Sequence, residues 1–552
     1  MAGSSKKQAG VQSRLGTRDV FRRVRKAWGE SPFYQAQLKG PAPDRLCYRP
    51  DDPHTPDKGF AKALTRGRMA LGEEAIDCEG ELERIWDMAR PDGSLSAYLQ
   101  AFSWLGHLEA LGEDGKASAR RLMKAWLDRY ERWSAEAWAP YFAAERLVEL
   151  CAHYPLMLNG ADALWRSRVL ASMARQTRHL AKTAHRAETG FDRLMTSLGL
   201  AISGYCLPGC DGPAERGLEM ARRELRLQLR PDGGHVSRNP SRQIKLAFRL
   251  QTLLKTIEAR GFQPPGFLRH TVMRASAMAV FFRCPDGRLA VFNGGYEDDG
   301  RVVLAVQNVI DPESAPTGFA RHSGYHKISA ARAALIVDTA NDAGMSTPFK
   351  SAGSIHFSSG RSRIIVNCGN GGHRSPEWRK ALEASAAHSA LSFHASAPPL
   401  VFGDASYRRA EETKGQLLEF ERQILMPGTE GAAYLRRLYL SANGANLRGE
   451  EILRSLPAEH LDGAAWRFHL HPSVRASLAR DRRSVILLLA NKEGWRFKSD
   501  CRALVLEKSV YCGHGGAPVS TEQIVMPAAA CNDAGDPLLF SARWALQRLD
   551  RV

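Results

Sequence analysis

The feature that most constrains the fold of this chain is a change in hydrophobic period near Pro285. Before it, apolar side chains recur at helical spacing, as in residues 164–184 and 243–260. After it, the apolar runs are short, rich in β-branched residues and bounded by Gly, Asn or Asp, which is typical of antiparallel strands. The chain is therefore predicted to be α+β by domains, with a helical first half and a β-sandwich second half.

Short segments that contain Gly, Pro or Asn separate the predicted helices of the first half. This arrangement favours paired helices that either close on themselves or stack as a solenoid. Before them, residues 1–60 are basic and then proline-rich, so they are predicted to form an extended lead-in.

The net charge restricts the class of partner. Among 552 residues, 77 Lys and Arg oppose 59 Asp and Glu, which gives a formal charge of +18. Such an excess favours a polyanion: nucleic acid, acidic polysaccharide or an anionic membrane. No nucleic-acid motif and no interleaving of basic and aromatic residues is present, so no nucleic-acid partner is expected.

Targeting and cysteine patterns predict a cytoplasmic protein. Residues 1–28 are basic but lack the apolar core of a secretory signal, and no stretch is apolar for long enough to span a bilayer. Apart from Cys206 and Cys210, the ten cysteines are scattered singly, which favours reduced thiols. Periplasmic export by another route is the open alternative, and the sequence leaves the oligomeric state undetermined.

The loop at residues 231–240 is the candidate site. Asp232-Gly233-Gly234 allows a tight turn, and Asn239-Pro240 disfavours helix, so the segment is held as a loop between two predicted helices. It carries the imidazole of His235, the guanidinium of Arg238 and the amide of Asn239, which suit binding or catalysis. The alternative is a helix–helix turn whose polar side chains cap the two helix ends.

Several further motifs follow in a fixed order along the chain. They are Phe292-Asn293-Gly294-Gly295, Ser323-Gly324-Tyr325, Ile365-Val366-Asn367-Cys368-Gly369, Ala387-His388-Ser389, Phe468-His469-Leu470-His471-Pro472 and Gly494-Trp495-Arg496-Phe497. Together with the loop, they make the chain resemble the heparinase II/III-like family of polysaccharide lyases. The resemblance implies an incomplete α/α toroid over residues 61–283 and an antiparallel β-sandwich over residues 285–552.

The chemistry implied by this resemblance is β-elimination at a uronic acid. One group must neutralise the substrate carboxylate, a base must remove the neighbouring carbon-bound proton, and an acid must protonate the leaving oxygen. On this basis His235 is the candidate base or acid, and Arg238 or Asn239 would hold the carboxylate, with bidentate geometry favouring Arg238. Arg242, Tyr325 and His388 are the candidate substrate-binding residues. The alternative for His235 is a structural hydrogen bond or helix cap.

The chain departs from the family pattern at the usual catalytic positions. Ser241-Arg242-Gln243 stands where members carry a tyrosine–histidine pair, and Gly190-Phe191-Asp192 stands where an Asn–His pair is common. Of the three usual zinc ligands only His388 remains, because Ser351 lies in the segment that otherwise carries a histidine and Asn367 replaces an aspartate. We therefore expect no metal and no other cofactor.

Two functions are consistent with these residues. The first is a carbon–oxygen lyase that cleaves or binds an acidic, uronate-containing polysaccharide resembling a glycosaminoglycan, in a cleft between toroid and sandwich. The second is a catalytically inactive protein that binds carbohydrate or assists assembly of a cell-surface polysaccharide. Retention of the fold favours the first, and loss of the usual catalytic residues favours the second.

Overall fold

The computed structural model divides the chain into two compact units. The first comprises Met1–Leu227 with Arg249–Pro265, and the second comprises Gln228–Phe248 with Gly266–Val552. The residues that the structure describes are 27–91, 93–310, 318–340, 348–371, 375–393, 401–425, 429–457, 460, 463–531 and 539–549.

The first unit is helical. Its elements are α1 (Pro32–Gln37), α2 (Lys58–Thr65), β1 (Arg68–Leu71), β2 (Glu74–Asp77), α3 (Ile85–Met88), α4 (Ser94–Gln100), α5 (Leu105–Glu109), α6 (Glu113–Tyr130), α7 (Pro140–Ala152), α8 (Tyr154–Leu158), α9 (Ala163–Thr183), α10 (Phe191–Cys206) and α11 (Asp211–Gln228), and most of α12 (Pro240–Ala259) belongs to it. The short antiparallel pair β1–β2 gave no clear signal in the sequence.

Helix α10 lies at the centre of this unit. Nearly all its residues are buried, and it packs against α7 and α9. Gly199 permits the close approach to α7, because a β-carbon there would lie 2.9 Å from the Ala144 side chain. Capping starts the neighbouring α9, where the Asp162 side chain accepts a hydrogen bond from the Trp165 amide. Helices α9 and α12 thus coincide closely with the helical stretches that the sequence predicts at residues 164–184 and 243–260.

The second unit contains two antiparallel sheets. Their strands are β3 (Phe319–Ala320), β4 (Tyr325–Ala330), β5 (Ala333–Asp338), β6 (Ile355–Ser359), β7 (Ser362–Val366), β8 (Leu391–Ser392), β9 (Phe402–Glu412), β10 (Gly415–Ile424), β11 (Ala433–Ser441), β12 (Asn446–Arg454), β13 (Ala465–Leu470), β14 (Arg475–Leu478), β15 (Ser484–Leu488), β16 (Gly494–Ser499), β17 (Val505–Tyr511), β18 (Val519–Pro527) and β19 (Leu539–Arg548). The unit also includes α13 (Gly266–Phe281), α14 (Gly300–Gln307) and α15 (Pro376–Glu383).

Strand order confirms the predicted antiparallel sandwich. One sheet has eight strands in the order β14-β15-β16-β19-β12-β11-β10-β9. The other has nine, in the order β17-β18-β13-β7-β6-β5-β4-β3, with β8 beside β13. Residues 289–292 form a buried connection between α13 and α14, and residues 404–409 lie within β9.

Alternating burial along the strands builds the core between the sheets. In β16, Trp495 and Phe497 are buried while Arg496 and Lys498 are exposed. Phe497 stacks on Trp544 of β19 with ring centroids 5.5 Å apart, and Phe468 of β13 meets the same indole edge-on at 4.9 Å. Each such aromatic side chain stabilises the fold by roughly 1.5–3 kcal/mol through burial.

A buried ion pair also crosses two neighbouring strands. Arg436 of β11 lies opposite Glu451 of β12, and Arg436 Nε is 3.0 Å from Glu451 Oε1 with both side chains fully buried. Tyr434 donates its hydroxyl to Glu451 Oε2 at 2.5 Å, and the Trp544 indole donates to Oε1 at 2.9 Å. The carboxylate is therefore surrounded by donors that replace its hydration.

The cysteines depart from the expectation of reduced thiols at one pair. Cys501 and Cys531 form a disulfide, whereas the other eight cysteines, all within the described residues, are not disulfide-bonded. Two buried cysteines 30 residues apart gave no recognisable spacing in the sequence. Within the described residues, no helix is long and apolar enough to cross a membrane.

We predict that Glu451→Ala lowers the free energy of unfolding by about 3–5 kcal/mol, because it leaves the Arg436 charge buried without its partner. Urea denaturation followed by tryptophan fluorescence measures this loss. Glu421→Ala on β10 is the matched control, since its ion pair with Arg454 of β12 is exposed, and it should cost less than about 1 kcal/mol. Equal losses in the two variants would contradict the prediction.

Candidate functional site

The loop between α11 and α12 is fixed by its own backbone and by Asp232. Gly233 has φ of +84°, and a β-carbon there would lie 2.3 Å from the Arg274 carbonyl oxygen, so only glycine fits. Asp232 accepts hydrogen bonds from the Ser323 amide at 2.6 Å and the Ser323 hydroxyl at 2.9 Å. These contacts attach the loop to the segment that precedes β4.

His235 is buried and both its ring nitrogens are engaged. Nδ1 lies 2.7 Å from Ser237 Oγ and accepts a hydrogen bond from the Ser237 amide, so Nε2 carries the proton and donates to Gln228 Oε1 at 2.9 Å. Burial, reinforced by the charges of Arg242 and Arg230, lowers the pKa of His235 to about 3. The imidazole is therefore neutral near pH 7 and holds the loop in shape.

Arg238 is buried against a carboxylate of the protein itself. Its Nη2 donates to Asp338 Oδ1 at the end of β5, and its Nε donates to the Ser323 carbonyl at 2.8 Å. The guanidinium also lies over the Tyr325 ring, 4.4 Å from the ring centroid. The group proposed to hold a substrate carboxylate thus already forms a desolvated ion pair.

Asn239 caps the following helix. Its side-chain oxygen accepts a hydrogen bond from the Arg242 amide at 3.0 Å, and its side-chain nitrogen donates to the Asn293 carbonyl at 2.9 Å. Pro240 occupies the first helical position, where its missing amide proton costs nothing. The capping role is the structural alternative that the sequence left open.

Tyr325 and Asn293 complete a polar network around Asp338. The Tyr325 hydroxyl donates to the Arg238 carbonyl at 2.9 Å and receives a hydrogen bond from Asn293 Nδ2 at 2.6 Å. Ser351 Oγ donates to Asp338 Oδ2 at 2.9 Å. Burial raises the pKa of Tyr325 far above its usual value, so it remains protonated and its proton is committed to the protein backbone.

The other two candidate substrate-binding residues lie in contrasting environments. Arg242 is exposed on the first turn of α12. His388 is buried beside Phe349, with ring centroids 6.1 Å apart, and burial lowers its pKa to about 4. Neither ring nitrogen of His388 has a hydrogen-bond partner within the described residues.

The position where the family resemblance implies a metal is occupied by hydrogen bonds between protein groups. Asn367 donates to the Val291 carbonyl at 2.8 Å and accepts from the Ser389 amide at 2.9 Å, and Ser351 belongs to the Asp338 network. Among the described residues, His388 is part of no group of three side chains that could hold a metal ion.

Sequence reasoning missed Asp338 and a second polar cluster around Glu297. Asp338 ends an apolar strand, a position that can signal a functional carboxylate, but its partner lies 100 residues earlier. Glu297 accepts hydrogen bonds from Tyr511 at 2.7 Å and His471 at 3.2 Å. Burial raises the pKa of Glu297, but these bonds and the charge of Arg363 outweigh it and hold the pKa at about 2.

Comparisons with known proteins agree with this architecture. Residues 312–538 match the family model described as heparinase II/III-like, C-terminal. The chain is 29% identical to FtsZ-localized protein C of Caulobacter vibrioides, over 96% of this chain and 94% of that protein. Its fold is similar to heparinase III, with a TM-score of 0.65 and 13% identity over 90% of this chain and 85% of that one. It is also similar to a mutant of heparan sulfate lyase HepC from Pedobacter heparinus, with a TM-score of 0.59 and 13% identity over 100% and 92% of the two chains.

We predict that Arg238→Ala lowers the free energy of unfolding by about 3–5 kcal/mol, because it leaves the Asp338 side chain buried without its ion-pair partner. Chemical denaturation measures the loss. Arg242→Ala is the control four residues away, and its exposed side chain should contribute less than about 0.5 kcal/mol. Adding Asp338→Asn to Arg238→Ala should recover part of the stability, whereas additive losses would contradict a direct pair.

His235 should also make stability depend on pH. Its pKa is about 3 when folded and about 6.5 when unfolded, so its contribution is complete above pH 6.5 and is lost as pH falls towards 3. Between pH 7.5 and 5, the wild type should therefore lose about 2 kcal/mol more than His235→Gln. Denaturant titrations at the two pH values test this. The control His322→Gln, an exposed histidine, should follow the wild type, and an unchanged pH profile in His235→Gln would refute the assignment.

Proposed function

The chain is a heparinase II/III-like protein, and from this premise we propose that it is a binding protein with a lyase fold, not an active lyase, and that it acts together with FtsZ. Catalytic inactivity is part of the second function that the sequence allows, and it gives the loop at residues 231–240 a structural role. The partner differs from the carbohydrate expected there, because FtsZ is taken from the name of the related FtsZ-localized protein C.

The observation that carries the proposal is the buried pair of Arg238 and Asp338. A lyase needs a cation or a donor that is available to the uronate carboxylate. For Arg238 to serve, a substrate would have to displace Asp338 and leave that carboxylate buried and unpaired, at a cost of about 3–5 kcal/mol. Binding energy spent in this way is not available to the transition state.

Proton transfer by this loop is disfavoured on the same grounds. A general base must come within hydrogen-bond reach of the proton it removes, with a pKa near the working pH. His235 is 3% exposed, both its ring nitrogens are engaged by the protein, and its pKa is about 3. Tyr325 is buried with its hydroxyl bonded to the Arg238 carbonyl. Neither residue is available in the described arrangement.

Support for FtsZ as the partner comes from the extent of the match to FtsZ-localized protein C. The alignment spans 96% of this chain and 94% of the relative, so both the helical and the β portions are shared. A protein that keeps the whole lyase architecture while using its loop for structure is suited to recruitment and binding.

Acidic polysaccharide is the second candidate partner. The formal charge of +18 and the family's lyase fold favour it. Of the predicted site residues, Arg242 is the exposed one, so it is the side chain that would meet such a chain first. On this reading, the protein binds a uronate-containing polysaccharide without cleaving it.

Two assays on the purified full-length protein test the proposal. Incubation with a panel of uronate polysaccharides should give no ultraviolet absorbance from unsaturated product. A heparan sulfate lyase of known structure, assayed in parallel as the positive control, should give this absorbance. Fluorescence anisotropy with labelled FtsZ should show saturable binding. This binding should persist when free heparin is added, because heparin competes only for non-specific binding to exposed basic side chains. Product formation would overturn the inactive assignment, and absence of saturable binding would overturn the FtsZ assignment.

A single variant tests whether acidic polysaccharide binds near the loop, independently of FtsZ binding. Arg242→Glu reverses an exposed charge beside the loop without touching the Arg238–Asp338 pair. It should weaken binding of heparin at least several-fold if polysaccharide binds this face, and unchanged heparin binding would exclude the face.

A further inference from the structure

We propose that Glu297, His471 and His514 bind a divalent transition-metal ion, with Zn²⁺ the best match. The site lies in the second unit and uses none of the residues to which the family resemblance assigns a metal. It is independent of the function proposed above.

The spacing of the three ligand atoms fits a metal centre. Glu297 Oε1 lies 3.2 Å from His471 Nε2 and 3.4 Å from His514 Nδ1, and all three atoms lie within 4.8 Å of one another. Ligands bound at about 2.0–2.1 Å in a tetrahedral zinc site stand roughly 3.3–3.4 Å apart. The two carboxylate–imidazole distances therefore match those of a zinc site, and Tyr511, which donates its hydroxyl to the same Oε1 at 2.7 Å, is the further group that the ion must accommodate.

The backbone holds these ligands on converging segments. The Glu297 amide donates to the Gly513 carbonyl at 2.8 Å, which places the carboxylate next to His514 just after β17. His471 directly follows β13. Its Nδ1 accepts a hydrogen bond from the Ser473 amide at 3.2 Å and lies 2.7 Å from Ser473 Oγ, so in the metal-free protein Nε2 carries the proton and donates a hydrogen bond to Glu297. Metal binding at Nε2 therefore requires this proton to shift to Nδ1, where the Ser473 hydroxyl can accept it. A hydrogen bond of this kind orients most metal-binding histidines.

Two guanidiniums lie near Glu297. Arg288 Nη1 is 3.8 Å from Glu297 Oε2, and its side chain is 53% exposed, so solvent screens its charge. Arg363 Nε is 3.9 Å from Glu297 Oε1, but this guanidinium is held by Asp286 at 2.7 and 3.2 Å and by the Leu289 carbonyl at 2.7 Å. Its charge is thus largely offset by Asp286. A metal ion would replace the hydrogen bonds that the two imidazoles direct to the Glu297 carboxylate.

Access and ligand type favour zinc with an open position. Glu297 and His471 are mostly buried, at 7% and 13% side-chain exposure, whereas His514 is 41% exposed and gives the ion a route from solvent. Two imidazoles and one carboxylate leave the fourth position of a tetrahedral ion to water, as in catalytic zinc sites.

A second group of ligand-type residues serves as an internal contrast. In the first unit, His153 lies among Asp52, Glu109 and Glu149, with Nδ1 2.6 Å from Glu109 and Nε2 3.2 Å from Asp52. One imidazole bonded on both sides by carboxylates forms a buried ion network, and Arg249 lies 3.5 Å from Glu149. We assign no metal there.

A metal at Glu297, His471 and His514 differs from the expectation, based on the sequence, that the protein binds no metal. Only the positions of the family's usual ligands, Ser351, Asn367 and His388, led to that expectation. Glu297 and His514 are separated by more than two hundred residues in the chain, and no local spacing connects them.

The test uses tag-free, full-length protein stripped with EDTA and titrated with Zn²⁺ by calorimetry and with Co²⁺ by visible absorption. We expect one equivalent of each ion, with the d–d absorption of a four-coordinate Co²⁺ site. His514→Ala should weaken binding at least tenfold without unfolding the protein, since its side chain is exposed, and Glu297→Gln should weaken it further. Glu149→Gln, in the contrasting group, should bind like the wild type.

Three outcomes would overturn the site. They are absence of stoichiometric binding, equal affinity in the wild type and His514→Ala, and a Co²⁺ spectrum with sulfur-to-metal charge transfer, which would place the ion on the free cysteines. Thermal unfolding of each variant in EDTA confirms that the apo-proteins are folded, so that lost binding is attributable to lost ligands.

Discussion

The loop at residues 231–240 and the segments that contact it depend on one desolvated ion pair, between Arg238 and Asp338. Asp338 also accepts hydrogen bonds from Ser351 at 2.9 Å and from the Ala340 amide at 3.1 Å, and Arg238 reaches the Ser323 carbonyl. Two charges can be buried together only when their remaining donors and acceptors are satisfied in this way. Arg238 and Asn293 both adopt positive φ, at 55° and 47°, a strained conformation that the surrounding bonds must hold in place.

The same bonds that stabilise this loop remove its residues from chemistry. A guanidinium selected to meet a substrate carboxylate must be desolvated yet unpaired, and that state is costly in a folded protein. Here the protein supplies the carboxylate itself, and the His235 ring is enclosed by Gln228 and Ser237. The same side chains could either stabilise the fold or take part in catalysis. In this arrangement their bonding groups are engaged in stabilising the fold.

The sequence predicted elements well wherever the signal was local. Helix α9 follows from the helical period at residues 164–184, the strands after Pro285 follow from their short apolar runs, and the Asn239 cap follows from its position before a proline. The role of the loop could not be predicted in this way. It depends on Asp338, Ser323 and Asn293, which approach from distant parts of the chain. The residue type alone does not show whether a histidine is enclosed by the protein or can be reached by a ligand.

The charge argument has a related limit, because several arginines are used inside the protein. Arg146 is fully buried and donates to Gln176 and to the carbonyls of Gln100 and Ala137, while its guanidinium lies 4.5 Å from the Trp126 ring centroid. Arg436 and Arg363 likewise bond to internal carbonyls and carboxylates. Arg436 and Arg363 are neutralised by Glu451 and Asp286, so their burial leaves the net charge unchanged, whereas Arg146 has no carboxylate partner and counts towards +18 without being accessible to a polysaccharide. For this protein, the position of each guanidinium discriminates between partners better than the total charge does.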